Sequence, residues 1–340
     1  MKLALVRNHD RSGVLAVAGR PSPERYSEKA VGRVAEALQT GGHDVRVHEA
    51  DRHLLDRLAD DPVDLVFNMA YGIQGECRYT HLPAMLELAG VPYTGSGPMG
   101  HTLALDKAVT KTLIAAAGVP TPAHRVARGP VDLEGLRYPV VVKPRHESTS
   151  YGLALAHDVH EAAAAVEVVV RRYRQPALVE EYVEGREVCV GLIGNGDEVC
   201  TLPAVEIDFG TRALRLMTKS DKFHGTDDEP QRICPAPLDP FLRHRVEDVA
   251  RATFAATHCR DYARVDIRID ALGVPQVLEI NSMASLGTGG SYVLAAAAAG
   301  LDFAGLVNRI VDVAVERYDR EAPDRATSRA GAAATGAHGG

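Results

Sequence analysis

The sequence predicts a chain of mixed α/β and α+β class that opens with an α/β domain built on a parallel sheet. Strand-like and helix-like apolar periods alternate through the first hundred residues, the pattern of a parallel sheet crossed by helices. Beyond about residue 186, short alternating strands dominate, with long helical stretches between them. At 340 residues the chain is long enough for two or three packed units.

Residues 1–97 form the first unit. KLALV is a strand, and SEKAVGRVAEALQTGG has apolar positions at helical spacing with a glycine pair to stop it. HDVRVHEA and DLVFNMA follow as strands, then the helix THLPAMLELAG and a short strand VPYTG. The second unit, 98–185, begins with two helical stretches in SGPMGHTLALDKAVTKTLIAAAGVPTP that end in a glycine and a proline-rich turn. It continues through the strand YPVVVKP, the loop RHESTSYG, the alanine-rich helix HEAAAAVEVVVRRYR and the strand ALVEEYV. The third, 186–318, holds the strands EVCVGLIG, EVCTLPAVEI, ARVDIRID and PQVLEIN, with helices near DPFLRHRVEDVARATFAAT and SYVLAAAAAGLDFAGLVNRIVDVAVERY. Residues 319–340 lack apolar periodicity and read as a disordered tail.

A net charge of -7 leaves no basic footprint for nucleic acid. No apolar run approaches the ~20 residues of a membrane helix, and MKLALVRNHD turns polar too soon for a signal peptide. Five cysteines without a C-x-x-C pair suggest neither a disulfide framework nor a zinc site. The expected setting is the cytoplasm, and the expected partners are small molecules rather than nucleic acid or membrane.

The chemistry concentrates where ARVDIRID and PQVLEIN are expected to pair as an antiparallel hairpin. Strict alternation puts Val265, Ile267 and Ile269 on one face and Arg264, Asp266, Arg268 and Asp270 on the other. On the second strand, Leu278 and Ile280 oppose Val277, Glu279 and Asn281. Asp266, Glu279 and Asn281 then converge, and three oxygen-bearing side chains with open positions suit magnesium carrying phosphates. A half-solvated face on which Arg264 and Arg268 pair the acids fits the same spacing.

Lys143 ends a β-branched strand just before a Ser/Thr/Gly loop, where backbone N–H groups and hydroxyls can close over phosphate oxygens; a solvated strand-end charge is the alternative. LVEEYVEGREV carries Glu180, Glu181 and Glu187 around an apolar strand and turn, a place to read an adenine amine and ribose hydroxyls or simply a solvated acidic face.

Taken together, TGSGPMGHTLALDKAVTKTLIAAAGVPTP, VVKPRHESTSYG, LVEEYVEGREV, ARVDIRID and LEIN, in that order and spacing, resemble the ATP-grasp ligases, most closely the D-alanine:D-alanine ligases, over roughly residues 60–305. The resemblance implies an ATP-grasp fold behind the N-terminal parallel-sheet domain, ATP and two magnesium ions as cofactors, an acylphosphate intermediate, small-molecule carboxylate and amine substrates, and a homodimer. By position, Lys107 and Lys143 would contact the nucleotide phosphates. Glu180, Glu181 and Val183 would lie along the adenine, Glu187 on the ribose and Leu278 on the face of the base. Asp266, Glu279 and Asn281 would hold the magnesium ions. Arg264 would stabilise the oxyanion formed as the amine attacks, Lys222 would close over the γ-phosphate, and Thr149 and Ser150 would position substrate.

The substrate-facing motifs depart from the family's pattern. Ser22-Pro23-Glu24-Arg25 matches its S-A-E-R, so Glu24 would meet the first substrate's ammonium. H-G-x-x-G-E-D-G becomes AYGIQGECRY: Gly75 and Glu76 remain, Tyr71 replaces the histidine, and Arg78 brings a new cation beside the first-substrate pocket. Phe223 replaces the tyrosine after the lid lysine. Where the family reads E-x-N-T-x-P-G-M-T before a serine that receives the acceptor's carboxylate, Asn281 is followed by SMASLGTGG, with Ala284 for the proline, glycines at 287, 289 and 290, and one extra residue before Ser291. The metal ligands are kept while the acceptor pocket, with Gly287, Gly290 and Ser291, is rebuilt. These departures point to an ADP-forming carboxylate–amine ligase serving specialised metabolism, possible also as an intramolecular cyclisation. The alternatives are a true D-alanine:D-alanine ligase, an ATP-grasp phosphotransferase and a non-catalytic binding module.

Overall fold

The computed structural model describes residues 1–8, 26–148, 150–217, 221 and 229–321. β1 (Lys2–Asn8), β2 (Asp44–Ala50) and β3 (Leu65–Met69) make a parallel sheet in the order β2-β1-β3. α1 (Glu28–Thr40) starts at Ser27, whose side chain accepts from the Ala30 N–H. Alternation sorts the strands: Leu3, Leu5, Leu65 and Phe67 pack beneath α1, whereas Ala4, Val6 and Val66 pack beneath α2 (Leu54–Asp60) and α3 (His81–Ala89). α2 is not marked in the sequence reading. VPYTG is not a strand but a single parallel bridge, Val66 to Tyr93.

α4 (Pro98–Leu105) and α5 (Lys107–Ala116) meet at Asp106, which caps α5 by accepting from the Ala108 and Val109 N–H groups. β4 (His124–Ala127), β5 (Val140–Pro144), β6 (Ala154–Ala156) and β7 (Ala177–Glu181) form an antiparallel sheet, β4-β7-β5-β6, covered by α6 (Val159–Tyr173).

The larger antiparallel sheet runs β11 (Gln231–Ile233), β10 (Val205–Asp208), β8 (Arg186–Ile193), β12 (Tyr262–Ile269), β13 (Pro275–Asn281), with β9 (Cys200–Thr201) beside β8. α7 (Pro240–Ala256) and the Ile114 side of α5 cover one face through Val246, Ala250 and Phe254. The other face looks towards the β4–β7 sheet and forms one wall of a cleft. The last helical stretch is two helices, α8 (Ser291–Ala298) and α9 (Phe303–Glu321), bent by 95° at Gly300, whose φ is +88°. Asp319–Glu321, assigned to the tail from sequence, belong to α9, and residues 322–340 lie outside the described part. No single described helix is long and apolar enough to cross a membrane.

The order of strands and helices agrees with the α/β opening and the α+β remainder read from sequence.

Candidate active site

The hairpin forms, but strict alternation fails at one residue. Asp266 pairs with Glu279 and Ile267 with Val277, so Leu278 is an extra residue bulged from β13. Val277 and Ile280 therefore enter the core, at 0% and 3% exposure, instead of falling on opposite faces. The same shift places Leu278, Glu279 and Asn281 together on the cleft wall. The expectation that Leu278 shares a face with Ile280 is thus corrected by the bulge.

Asn281 Nδ2 donates to Asp266 Oδ2 at 3.0 Å, and Arg264 donates to both Asp266 oxygens at 2.7 and 2.8 Å. Burial opposes the Arg264 charge, and Asp266 beside it more than offsets this, so the guanidinium stays protonated. The donor set is oxygen only, carboxylate and amide on one cross-strand patch, and so fits a hard divalent cation.

Across the cleft, β5 ends in Lys143 and α5 begins with Lys107. Lys107 lies 3.7 Å from Glu279 and donates to the Glu147 carbonyl. Desolvation lowers its pKa, with Glu279 opposing and Lys143 adding to the fall. Lys143 is 2.6 Å from Glu180; desolvation pulls its pKa down, but Glu180 and then Glu279 outweigh it and the net shift is upward. Four residues after Lys107, on the same face of α5, Lys111 lies 2.9 Å from the other Glu180 oxygen and donates to Thr121 at 2.7 Å. Burial would raise the Glu180 pKa; the two lysines reverse this and hold it ionised below the ordinary value. Asp106, while capping α5, also binds Arg145 at 2.6 Å and 2.7 Å, tying the loop after β5 to the start of α5.

At the end of the cleft bordered by the β7–β8 connection, Arg268 is 1% exposed. Its Nε and Nη2 donate to Glu187 at 3.1 and 2.9 Å, and its Nη1 donates to the Tyr182 hydroxyl and Val183 carbonyl, each at 3.1 Å. Nη2 also donates to the Arg215 carbonyl, so all five N–H groups of the fork are used. One side chain thereby joins the β7–β8 connection, the Glu187 carboxylate and the chain leaving β10. Glu181 also lines the cleft and accepts from Arg137 at 2.7 Å.

The cleft these residues line has a volume of about 620 Å³. Within it stand Lys107, Lys143, Glu180, Glu181, Val183, Glu187, Arg264, Asp266, Leu278, Glu279, Asn281, Ser150, Gly287, Gly290 and Ser291. Ser150 has a left-handed φ of +54°. Gly152 has no room for a side chain, since a Cβ would fall 2.8 Å from Pro144 and from Tyr173. Gly287 accepts from the Gly290 N–H at 3.1 Å, closing a tight turn at the mouth of α8. Glu76 is exposed and does not line the cleft. Arg78 is 2% exposed, donates to the His146 carbonyl at 2.7 Å and lies 3.7 Å from Glu147, which lines the cleft. Glu24, Thr149, Lys222 and Phe223 lie outside the described residues.

Lys111 and Arg268, like Tyr26, Tyr79 and Met283 of the cleft lining, are given no role by the motifs. The i, i+4 spacing from Lys107 is the signal for the first; the second pairs across strands 81 residues apart and leaves no local trace.

A family model described as the D-ala D-ala ligase C-terminus matches residues 129–312. The chain is 47% identical over 331 residues to an uncharacterized protein, y4sG, of Sinorhizobium fredii, covering 94% of this chain and 98% of that protein. It is 34% identical over 312 residues to a D-alanine–D-alanine ligase of Syntrophobacter fumaroxidans, covering 89% and 97%. A crystal structure of D-alanine–D-alanine ligase from Bacillus anthracis complexed with ATP superposes with a TM-score of 0.74 at 20% identity, covering 94% of this chain and 99% of that one. The VanG D-Ala:D-Ser ligase of Enterococcus faecalis superposes with a TM-score of 0.72 at 20% identity, covering 92% and 99%. With the cross-strand carboxylates and the buried lysines on facing walls of one cleft, these likenesses place the chain in the D-alanine:D-alanine ligase family: it is an ATP-grasp enzyme, an ATP- and magnesium-dependent ligase that forms a carbon–nitrogen bond.

Proposed function

We propose that this ligase transfers the γ-phosphoryl group of ATP to the carboxylate of an amino acid or related acid, and that an amine other than that of D-alanine then displaces phosphate, giving ADP, phosphate and an amide. The observation that carries this reading is the Asp266–Glu279 cross-strand pair with Asn281, set opposite Lys107 and Lys143 in one cleft.

Lys107 and Lys143 neutralise phosphate oxygens, and their burial keeps them at fixed positions. Glu180 aligns Lys143 and turns its remaining acceptor capacity to the base. Val183 offers its N–H to the base edge, its carbonyl already accepting from Arg268. Glu187, held by Arg268, takes ribose hydroxyls, and Leu278 covers the base. Asp266, Glu279 and Asn281 hold the magnesium, which supplies charge neutralisation on the transferring phosphoryl group. Arg264, fixed by Asp266, stabilises the oxyanion as the amine attacks, and Ser150, Gly287, Gly290 and Ser291 border the substrates. Glu24, Thr149, Lys222 and Phe223 keep the roles the resemblance gives them.

Ala284-Ser285-Leu286-Gly287 in place of the family's Pro-Gly-Met-Thr run, together with the glycine turn at 287–290, supports an acceptor other than D-alanine and a specialised pathway; an intramolecular ring closure uses the same residues. A cytoplasmic homodimer is the proposed setting. A D-alanine:D-alanine ligase proper is the second reading, favoured by the names of the relatives at 33–34% identity.

Incubation with ATP, magnesium and pooled D- and L-amino acids tests the proposal, with ADP followed and condensed masses identified. Amide formation from a pair other than D-alanine with itself is expected. D-alanine as the sole productive substrate would select the second reading, a phosphorylated product without amide would make the protein a phosphotransferase, and no substrate-dependent ADP would refute all three.

A further inference from the structure

One end of the cleft is walled by three tyrosines that come from separate segments of the first unit. Tyr26 and Tyr71 stack with ring centroids 5.2 Å apart and planes 20° apart. Tyr71 meets Tyr79 at 5.5 Å and 43°. Met283 and Leu105 complete the cluster, and the three rings and Met283 line the cleft.

This wall is braced from several sides. The Tyr26 hydroxyl accepts from the Leu286 N–H at 3.2 Å, fixing that ring to the glycine-rich loop. Tyr79 packs edge-on against His101 at 6.1 Å, and the Arg78 guanidinium sits 5.2 Å from its centroid. Tyr71 and Tyr79 are each only 7% exposed. Rings held this way present a preformed surface, so a ligand that contacts them loses little to reorganisation.

The wall is also contiguous with the chemistry. Met283 stands two residues after Asn281, and the bulge at Leu278 has already turned Glu279 and Asn281 into the cleft. An acid whose carboxylate reaches Arg264 and these ligands must lay its other substituents along the rings or towards the loop at 285–290. An aromatic side chain buries on the order of 150–250 Å² and gains from offset or edge contacts with other rings; a methyl group can use little of such a wall.

We propose that the acid activated in this cleft is an amino acid with an aromatic side chain, seated on the Tyr26–Tyr71–Tyr79 wall. This rests on the ligase reading above and extends it to the class of acid. Tyr71, where the family's histidine is expected, is the specificity-determining residue of the three, because it touches both of the others.

The test uses the full chain with ATP, magnesium and hydroxylamine as the amine, so that any activated acid is trapped as its hydroxamate whatever the natural acceptor. The carbonyl carbon gains the hydroxylamine nitrogen, and phosphate leaves with the electron pair of the broken C–O bond. Phenylalanine, tyrosine and alanine are compared, each as both enantiomers. The expected result is a kcat/KM at least tenfold higher for an aromatic acid than for alanine, a ratio that falls at least tenfold in Tyr71→Ala and Tyr71→Leu and is kept in Tyr71→Phe. Hydroxamate from alanine in preference to the aromatic acids overturns the proposal while leaving the ligase reading in place. A ratio unchanged in Tyr71→Ala or Tyr71→Leu also overturns it. Neither ADP nor hydroxamate with any of these acids overturns it too, and the pooled amino-acid assay then decides the ligase reading separately.

Discussion

Replacing Arg268 by methionine, close in length and without charge, separates what holds its end of the cleft together from what the proposed nucleotide site needs. The substitution removes all five donors at once and leaves Glu187, 9% exposed, without the guanidinium that now accompanies it. Breaking a buried pair from one side costs about 3–5 kcal/mol, most of it the penalty of an uncompensated buried charge. Because the chain has no tryptophan, chemical unfolding is best followed by circular dichroism. The same variant should raise the KM for ATP at least tenfold, about 1.4 kcal/mol, with the KM for the acid little changed, since the proposed function puts Glu187 and Val183, which Arg268 holds, at the base and ribose. The double variant Glu187→Leu/Arg268→Met sharpens the logic: with both charges gone, stability should recover by more than half, as buried pairs replaced by apolar residues often do. ATP affinity should not recover. A single variant that loses less than about 1 kcal/mol and keeps its KM for ATP would refute the idea that one arginine organises this end of the site.

Two further outcomes follow from the site. Glu279→Gln should lower ADP formation by at least about a hundredfold while the circular dichroism spectrum is unchanged, because the proposed magnesium site needs the carboxylate; residual activity above a tenth would remove Glu279 from that proposed site. His101, fully buried with Nδ1 2.8 Å from Ser282 Oγ, has its pKa pushed down to about 3 by burial, with Arg260 adding to the effect. The unfolded chain binds a proton below pH 6.5 that the folded chain refuses until about 3. Its contribution is therefore complete above pH 6.5 and is lost at about 1.4 kcal/mol per pH unit below it. In His101→Gln, the fall in stability between pH 6 and pH 5 should be smaller by about 1 kcal/mol; equal slopes in the two proteins would show that the imidazole is already protonated in the fold.

Local pattern was enough to read most elements and the convergence of Asp266, Glu279 and Asn281, since alternation and helical spacing are written in adjacent residues. It was not enough for the bulge at Leu278, because one extra residue leaves composition and length unaltered, and what selects it is the pairing with β12. Arg268 shows the same limit. Its charge was visible as a partner for nearby acids, but its partner is Glu187 on β8, and only the sheet order brings the two side by side. Arg78 was read as a cation beside the first-substrate pocket; what the motif could not show is that it is buried between the His146 carbonyl and the Tyr79 ring. The tyrosine wall is only partly legible in sequence: Tyr71 and Tyr79 share the stretch AYGIQGECRY, but nothing local sets Tyr26 against them, and the rings meet only in three dimensions.

The bulge at Leu278 acts as a phase shift within a single strand. Upstream of it, Val277 keeps time with the core; downstream, Glu279 and Asn281 keep time with the cleft. Residue 278, at the joint, faces the cleft without obliging Glu279 or Asn281 to move. Its side chain can be exchanged without moving Glu279 or Asn281, and deleting it would close β13 into a regular ladder, Val277 on Ile267 and Glu279 on Asp266, with Glu279 and Asn281 still facing the cleft.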